Sequence, residues 1–328
     1  MYHITSFSQS VFMYWQTLVQ VYNFIRVGID MSKVIIVIEY ETAPDQNYIK
    51  LAKETGIRVI FYKKDYTSAY LPIVRPKLFE KFFKDFPEFE KEYILYHDSD
   101  IIYRDIPNYT LMQDGAYYVA PCSSYLGYDY LKQKGRTIID DMCKVTGVTY
   151  NNILSNRNNS GGAQYYGIGT NAAYWNEVSA DCDNIYNTIS QVKQEYMNEL
   201  FEYHSVYFPE DASLSKSLEQ FYQDRKIQIW TAGMWAELFC LWKHKFKVIE
   251  TPLLDFSWGT SDFKTYLERP FMHNAGVMSD NKELFDKGAY KLKMPFNDDF
   301  SFINPSTASY MYVKEMKEAG KYFKHLIQ

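Results

Sequence analysis

Cysteine is scarce. The 328-residue chain has four, Cys122, Cys143, Cys182 and Cys240, and no two stand close together. That spacing excludes a cysteine-based metal knuckle and argues against a disulfide framework, so the four are expected to be reduced and structural. Positive charge is also short, with 35 Lys plus Arg against 40 Asp plus Glu and a net charge of -5. Such a chain has no general attraction for nucleic acid or anionic lipid, and any phosphate it binds needs local compensation. Long hydrophobic runs are missing. Residues 11–27 are apolar but interrupted by Gln16, Gln20, Asn23 and Arg26, too polar a stretch to span a bilayer. The stretch also lacks the basic start and small-residue cleavage site of a signal peptide, so a cytoplasmic enzyme is the expectation. Sequons at Asn108 and Asn158 are common by chance and carry little weight.

Apolar and aromatic residues are abundant: the chain is 47% hydrophobic and 18% aromatic, with 31 Tyr and 22 Phe. It can bury a large core. Ordinary packing accounts for most of these rings, but their flat apolar faces also match the C–H faces of a pyranose, making some of them candidate stacking platforms. Without repeats, low-complexity tracts or a clear linker, residues 1–328 read as one unit with a C-terminal extension.

The first part alternates strand and helix patterns. Strands are expected over 2–7, 34–38, 58–62 and 93–97, with helices over 11–27, 44–55 and 76–86. The run Val34-Ile35-Ile36-Val37-Ile38 has the continuous β-branched character of a strand buried on both faces. This order predicts an α/β fold with a mostly parallel sheet covered by helices. The second part is less regular. Strands are expected over 116–120, 161–169 and 226–230. Helices are expected over 130–144, 180–204, from Pro209 through Leu214 and Leu218, over 232–243, and from about 307 to 326, with a polar loop at 151–159.

The most informative feature is Asp98-Ser99-Asp100, placed between Tyr93-Ile94-Leu95-Tyr96-His97 and Ile101-Ile102-Tyr103. Ligands of parallel sheets lie beyond the carboxyl ends of the strands, and these acids fall at such an end. Two carboxylates one residue apart there can face a hard divalent cation that also binds a phosphorylated substrate. The alternative is that both acids cap a turn. His97, beside them, is expected to pack behind the site rather than to ligate.

The apolar strand with its Asp-x-Asp, the later Gly161-Gly162-Ala163-Gln164, the acidic helix start Glu210-Asp211 and the late His273 occur in an order that resembles glycosyltransferases of the GT-A fold. The resemblance covers most of the chain. It implies transfer of a sugar from a nucleotide-sugar donor, with UDP the commonest carrier, to a hydroxyl of a glycan or other acceptor. It also implies Mn²⁺ or Mg²⁺ on the diphosphate; the charge balance and the missing apolar span already speak against nucleic acid and a membrane span. It divides the chain into a nucleotide-sugar-binding half (1–105), an acceptor and catalytic half (106–275) and an extension (276–328).

Residue by residue, the resemblance makes Asp100 a direct metal ligand, puts Asp98 on the ribose or a metal-bound water, and makes His273 a third ligand. Arg75 and Lys77 would reach the donor diphosphate or sugar; a cation at that helix start opposes the helix dipole, which favours a functional role for Arg75. Glu39 and Glu41 follow the second strand, where nucleotide contacts fall. Gly161, Gly162 and Gln164 would lie beneath the donor sugar, although the glycine pair alone also reads as a bulge. Asp211, with Glu210, is expected either as the acceptor's general base or simply as an N-cap. Trp258 is a loop indole suited to an acceptor platform, whereas Trp235 and Trp242 share a core stripe with Leu238.

Other readings stay open. A nucleotidyltransferase would favour a glycine- and basic-rich loop after the first strand, and Ser6-Phe7-Ser8-Gln9-Ser10 contains neither. A haloacid-dehalogenase-type phosphatase carries its Asp-x-Asp on the first strand followed by Thr, where this chain has Ile102. A catalytically silent sugar-binding protein on the same scaffold is the alternative from outside enzyme chemistry.

Overall fold

β2 (Val34–Tyr40) shows why the sheet centres where it does. Six of its seven residues are buried, and each aliphatic side chain so removed from water contributes about 1.5–3 kcal/mol. Such a strand requires cover on both faces. In the computed structural model, which describes residues 1–277 and 279–327, β2 pairs in parallel with β1 (Tyr2–Ser8) on one side and β3 (Arg58–Lys63) on the other. β1 pairs in parallel with β4 (Ile94–Tyr96). The crossovers carry α1 (Val11–Val27), α2 (Gln46–Thr55) and α3 (Val74–Asp85).

After β4 the chain turns through the acidic triad into β5 (Ile101–Tyr103), which leaves this sheet. β6 (Tyr117–Pro121) returns to it. β7 (Gly161–Gly167) inserts antiparallel between β4 and β6, and β8 (Val248–Glu250) pairs in parallel with β6. The order is β3-β2-β1-β4-β7-β6-β8, a mostly parallel seven-stranded sheet flanked by helices. β9 (Phe256–Trp258) and β10 (Phe271–His273) join β5 in a second sheet of three strands.

The second part departs from expectation in several places. The helix expected over 130–144 is two, α5 (Tyr128–Lys134) and α6 (Arg136–Thr146), following the short α4 (Ser123–Leu126). Gly135, at φ 114°, makes the break. The expected loop at 151–159 contains α7 (Tyr150–Ser155). There Asn152 N donates to Thr149 Oγ1 at 3.1 Å, and Thr149 N donates back to Asn152 Oδ1 at 3.1 Å. A capping box built with Asn in place of Glu or Gln hid this start. Residues 180–204 divide between α8 (Ala172–Ile189) and α9 (Gln194–Tyr207). Pro209 opens no α-helix; a 3-10 turn at Ala212–Ser215 precedes α10 (Leu218–Arg225). The strand expected at 226–230 is instead a 3-10 turn, Ile229–Thr231, leading into α11 (Ala232–Lys243), with Trp230 exposed where a sheet strand would have buried it.

α12 (Phe263–Glu268), α13 (Ala308–Tyr322) and α14 (Lys324–Ile327) complete the chain. The C-terminal extension folds back onto α1: Trp15 Nε1 donates to the Tyr290 carbonyl at 3.2 Å, and Asn23 Nδ2 donates to Glu315 Oε1 at 2.8 Å. Among the described residues, no helix is long and apolar enough to cross a membrane.

Candidate active site

The triad occupies the turn between the two sheets. β4 delivers Asp98 to the rim of the large sheet, and β5 carries the chain away after Asp100. Gln20 of α1 donates to the Asp98 carbonyl at 2.8 Å, and His97 Nδ1 lies 3.1 Å from the same oxygen. Burial pushes the His97 imidazole down to about 4, so it stays neutral behind the turn, as expected.

His273 arrives through sheet pairing. β10 runs antiparallel to β5 with His273 opposite Ile101, and Asn274 N donates to the Asp100 carbonyl at 3.0 Å. The imidazole Nε2 then lies 3.2 Å from Asp100 Oδ1 and 3.6 Å from Asp98 Oδ2. The indole of Trp258 stacks on it, centroids 5.5 Å apart at 19°. Burial works against a proton on His273, but the Asp100 and Asp98 carboxylates outweigh burial and raise its pKa.

Ligand atoms of Asp98, Asp100 and His273 all lie within 4.8 Å of one another. Two carboxylates and an imidazole form a donor set suited to Mn²⁺ or Mg²⁺. His273 Nδ1 is buried without a partner, so no second bond fixes which ring nitrogen carries the proton, while Nε2 is the nitrogen that faces the carboxylates. Asp98 remains 41% exposed while Asp100 is 6% exposed, so the cluster opens on one side.

Lys287 went unnoticed in the sequence. It begins a 3-10 turn, Lys287–Tyr290, in the extension, and its ammonium pairs with Asp100 Oδ2. Burial would push the Asp100 carboxyl up, but Lys287 and then His273 hold it well below the usual carboxylate range. No local pattern marks this lysine, since its partner is 187 positions away.

Beside the cluster is a cleft of about 180 Å³ whose wall includes Arg75, Asp98, Tyr125, Ala163, Trp230 and Trp258. Arg75, near the start of α3, lies 4.5 Å over the Tyr96 ring, and its Nη1 is 3.6 Å from Glu237 Oε2. The Tyr96 hydroxyl in turn donates to Asp98 Oδ1 at 3.0 Å. Burial raises the Glu237 carboxyl to about 7 against the opposing pull of Arg75, and its Oε2 accepts no hydrogen bond. Arg75 itself stays charged: burial opposes its charge, but Tyr96 and Glu237 outweigh that. Trp230 is 54% exposed and sits 5.8 Å from the Tyr125 ring.

The remaining expected residues lie elsewhere. Lys77 points along α3 to Glu80, 3.7 Å away. Glu39 is the penultimate residue of β2, where it accepts from Ser8 Oγ at 2.8 Å while its Oε1 is buried without a partner. Glu41 helps line a separate depression with Lys64 and Tyr66, beyond the ends of β2 and β3. Gly161 and Gly162 are buried in β7 in register with Pro121 and Ala120 of β6, so the glycine pair is not itself a bulge; the register shift falls just after it, at Ala163 and Gln164, and Ala163, at φ 63°, lines the cleft. Gln164 is fully buried, and neither amide atom has a partner.

Asp211 is an N-cap. Its carboxylate accepts from Ser213 N at 2.9 Å and from Arg225 Nη2 at 2.6 Å. Glu210 is exposed, and neither residue lines the cleft. Of the described residues that do, Asp98 is the one carboxylate. A second group, Glu177, Asp181 and Cys240, also has ligand-like spacing. There the Lys243 ammonium lies 2.6 Å from both acids and supplies the positive charge.

No family model matches the chain, and no curated protein matches it at the sequence level. Among solved structures, the bifunctional glycosyltransferase WbbM aligns over 99% of this chain at 10% identity and a TM-score of 0.46; the match spans about half, 51%, of that protein's length. An active-site mutant of LgtC aligns over 96% of this chain and 95% of its own, at 10% identity and a TM-score of 0.43. Mouse xyloside xylosyltransferase 1 aligns over 83% of this chain and 96% of its own, at 13% identity and a TM-score of 0.34. Likenesses this distant carry no weight by themselves, and function has to be argued from the site.

Proposed function

We propose that the protein is a metal-dependent glycosyltransferase that moves a sugar from a nucleotide-sugar donor, UDP-linked in the first instance, to a hydroxyl of a glycan or other acceptor. The observation that carries this reading is the meeting of Asp98, Asp100 and His273 at the carboxyl end of β4, beside an aromatic-walled cleft. Bound there, Mn²⁺ or Mg²⁺ would offset the charge that develops on the leaving diphosphate.

The chain's own groups supply the rest. Arg75 offers a guanidinium to the donor sugar or phosphate, held in place by Tyr96 and Glu237. The Tyr96 hydroxyl fixes one oxygen of Asp98 and leaves Oδ2 turned towards His273. Trp258, Trp230 and Tyr125 give flat faces on which pyranose rings can stack and from which water is displaced. The depression beyond β2 and β3 and the half-satisfied Glu39 are suited to the nucleoside. With Glu210 and Asp211 outside the cleft, neither is assigned the acceptor's proton.

Ligand-dependent melting tests this. UDP with Mn²⁺ should stabilise the protein, by about 2.7 kcal/mol at a hundredfold excess over Kd, and UDP alone should not. Asp100→Asn and His273→Ala should abolish the shift while leaving a cooperative transition. A shift of equal size without metal would sink the proposal. No shift with either UDP or GDP would favour the silent sugar-binding protein.

A further inference from the structure

One stretch of chain, residues 123–134, lines three depressions in succession. Tyr125 of α4 belongs to the cleft beside the acidic cluster. Ser123, Ser124, Asp129 and Gln133 line a second depression of about 490 Å³, which also takes in Arg157 and Glu250. Glu250 Oε2 is buried there without a partner. Tyr128 and Lys132, one turn apart on α5, help line a third of about 450 Å³, within the roughly 300–1,000 Å³ typical of ligand sites.

The third depression has a particular chemistry. The Tyr203 and Tyr207 rings of α9 lie 4.5 Å apart at 31°, forming one broad aromatic face. Opposite, the Arg136 guanidinium sits 3.7 Å over the Tyr150 ring, and the Tyr128 and Tyr150 hydroxyls are 2.6 Å apart. Glu199 is pinned by the Thr137 amide at 2.9 Å. The rim continues into Val206, Tyr207 and Phe208, which are 65%, 57% and 48% exposed. Apolar side chains clustered on a surface in this way mark an interaction site.

The lining decides what fits. Two cations, Lys132 and Arg136, are matched by two carboxylates, Glu199 and Glu202, so the site favours a neutral ligand. Charged groups among the rings interrupt the continuous apolar groove that an amphipathic helix needs. The carboxylates oppose a phosphate backbone. Flat apolar faces alternating with fixed donors and acceptors suit a sugar, which offers C–H faces and hydroxyls together.

We infer that the depression around Tyr128, Tyr150, Tyr203 and Tyr207 is a binding subsite for a neutral oligosaccharide, and that segment 123–134 leads this glycan to the cleft as an extended acceptor. The word acceptor rests on the proposed transferase; the subsite does not.

The test is saturation-transfer NMR on the full chain with a defined set of neutral tri- to pentasaccharides built from glucose, galactose and N-acetylglucosamine. Wild type should bind at least one of them at millimolar concentration. Tyr203→Ala/Tyr207→Ala should weaken that binding about tenfold, the upper end of what one stacked aromatic contact supplies, and Tyr128→Phe, which keeps the ring, should weaken it less. Asp100→Asn should bind as wild type does. In a transfer assay the double variant should raise KM for the long acceptor at unchanged kcat, with an unchanged UDP–Mn²⁺ melting shift. Equal binding by wild type and the double variant overturns the subsite, as does absence of binding by the whole set, or capture of a protein that needs Tyr207 where no glycan does. Tyrosine-dependent glycan binding without any nucleotide shift keeps the subsite and removes the transferase; the reverse pattern does the opposite.

Discussion

Glu237 is a carboxyl whose ionisation the fold opposes. It is fully buried on α11, its ion-pair partner is Arg75 at 3.6 Å, Asp98 adds a repulsive charge, and its Oε2 lacks a hydrogen bond. Its carboxyl titrates at about 7 in the native protein against an ordinary 4.5. A proton held more tightly in the folded state makes stability fall as pH rises between those two values. Glu237→Gln removes the titration. Between pH 5 and pH 8, wild type should therefore lose on the order of 3 kcal/mol relative to Glu237→Gln, read from urea midpoints at a series of pH values. A difference that stays flat would mean that Arg75 keeps the carboxyl ionised throughout. Little of this was legible beforehand. Asp98 and Asp100 declare themselves by an acidic pair amid apolar neighbours, and Arg75 by a cation at an unfavourable helix end. Glu237 lies inside an apolar helix with no local signature, and Lys287 owes its role to a partner on the far side of the chain.

At the scale of elements, β7 offers a contrast between adjacent glycines. A Cβ on Gly161 would meet the Ala120 carbonyl oxygen at 2.2 Å and Val119 side-chain atoms from 2.5 Å, so strand β6 itself is in the way. A Cβ on Gly162 would meet the Met234 Cε at 2.5 Å, Leu126 Cδ1 at 2.9 Å and the Tyr165 hydroxyl at 3.0 Å, all side-chain ends rather than backbone, and the methionine tip can swing aside. Gly161→Ala should cost about 1–3 kcal/mol, the range for overpacking, and Gly162→Ala clearly less, both measured by denaturant unfolding. Equal costs would show that the seam between β6 and β7 yields as readily as a methionine tip. The early elements were readable because β2 carries a continuous β-branched run, β1 and β3 flank it as short apolar stretches, and the helices between them keep helical spacing. β8, β9 and β10 are three residues each, too short to show any period, and yet β10 is the strand that delivers His273. Residues 180–204 misled for the opposite reason: helical spacing persists on both sides of a break at 190–193 that no proline or glycine announces.

The whole molecule closes on itself through its C-terminal extension. The extension meets α1 at Trp15, Asn23 and Arg26, and from that anchorage it projects Lys287 onto Asp100. Truncating one partner of a buried ion pair costs roughly 3–5 kcal/mol; with Lys287 28% exposed, Lys287→Ala should fall below that range. Added Mn²⁺ should then raise the melting temperature of Lys287→Ala more than that of wild type, because the variant's Asp100 has no competing ammonium. An equal metal response in both proteins would mean that the lysine and the cation do not share Asp100. The built-in ammonium has one more effect. A chelator that strips the proposed cation would not leave Asp100 as a bare anion under the sheet, so demetallation should cause no unfolding, and returning the ion should restore the melting shift without refolding.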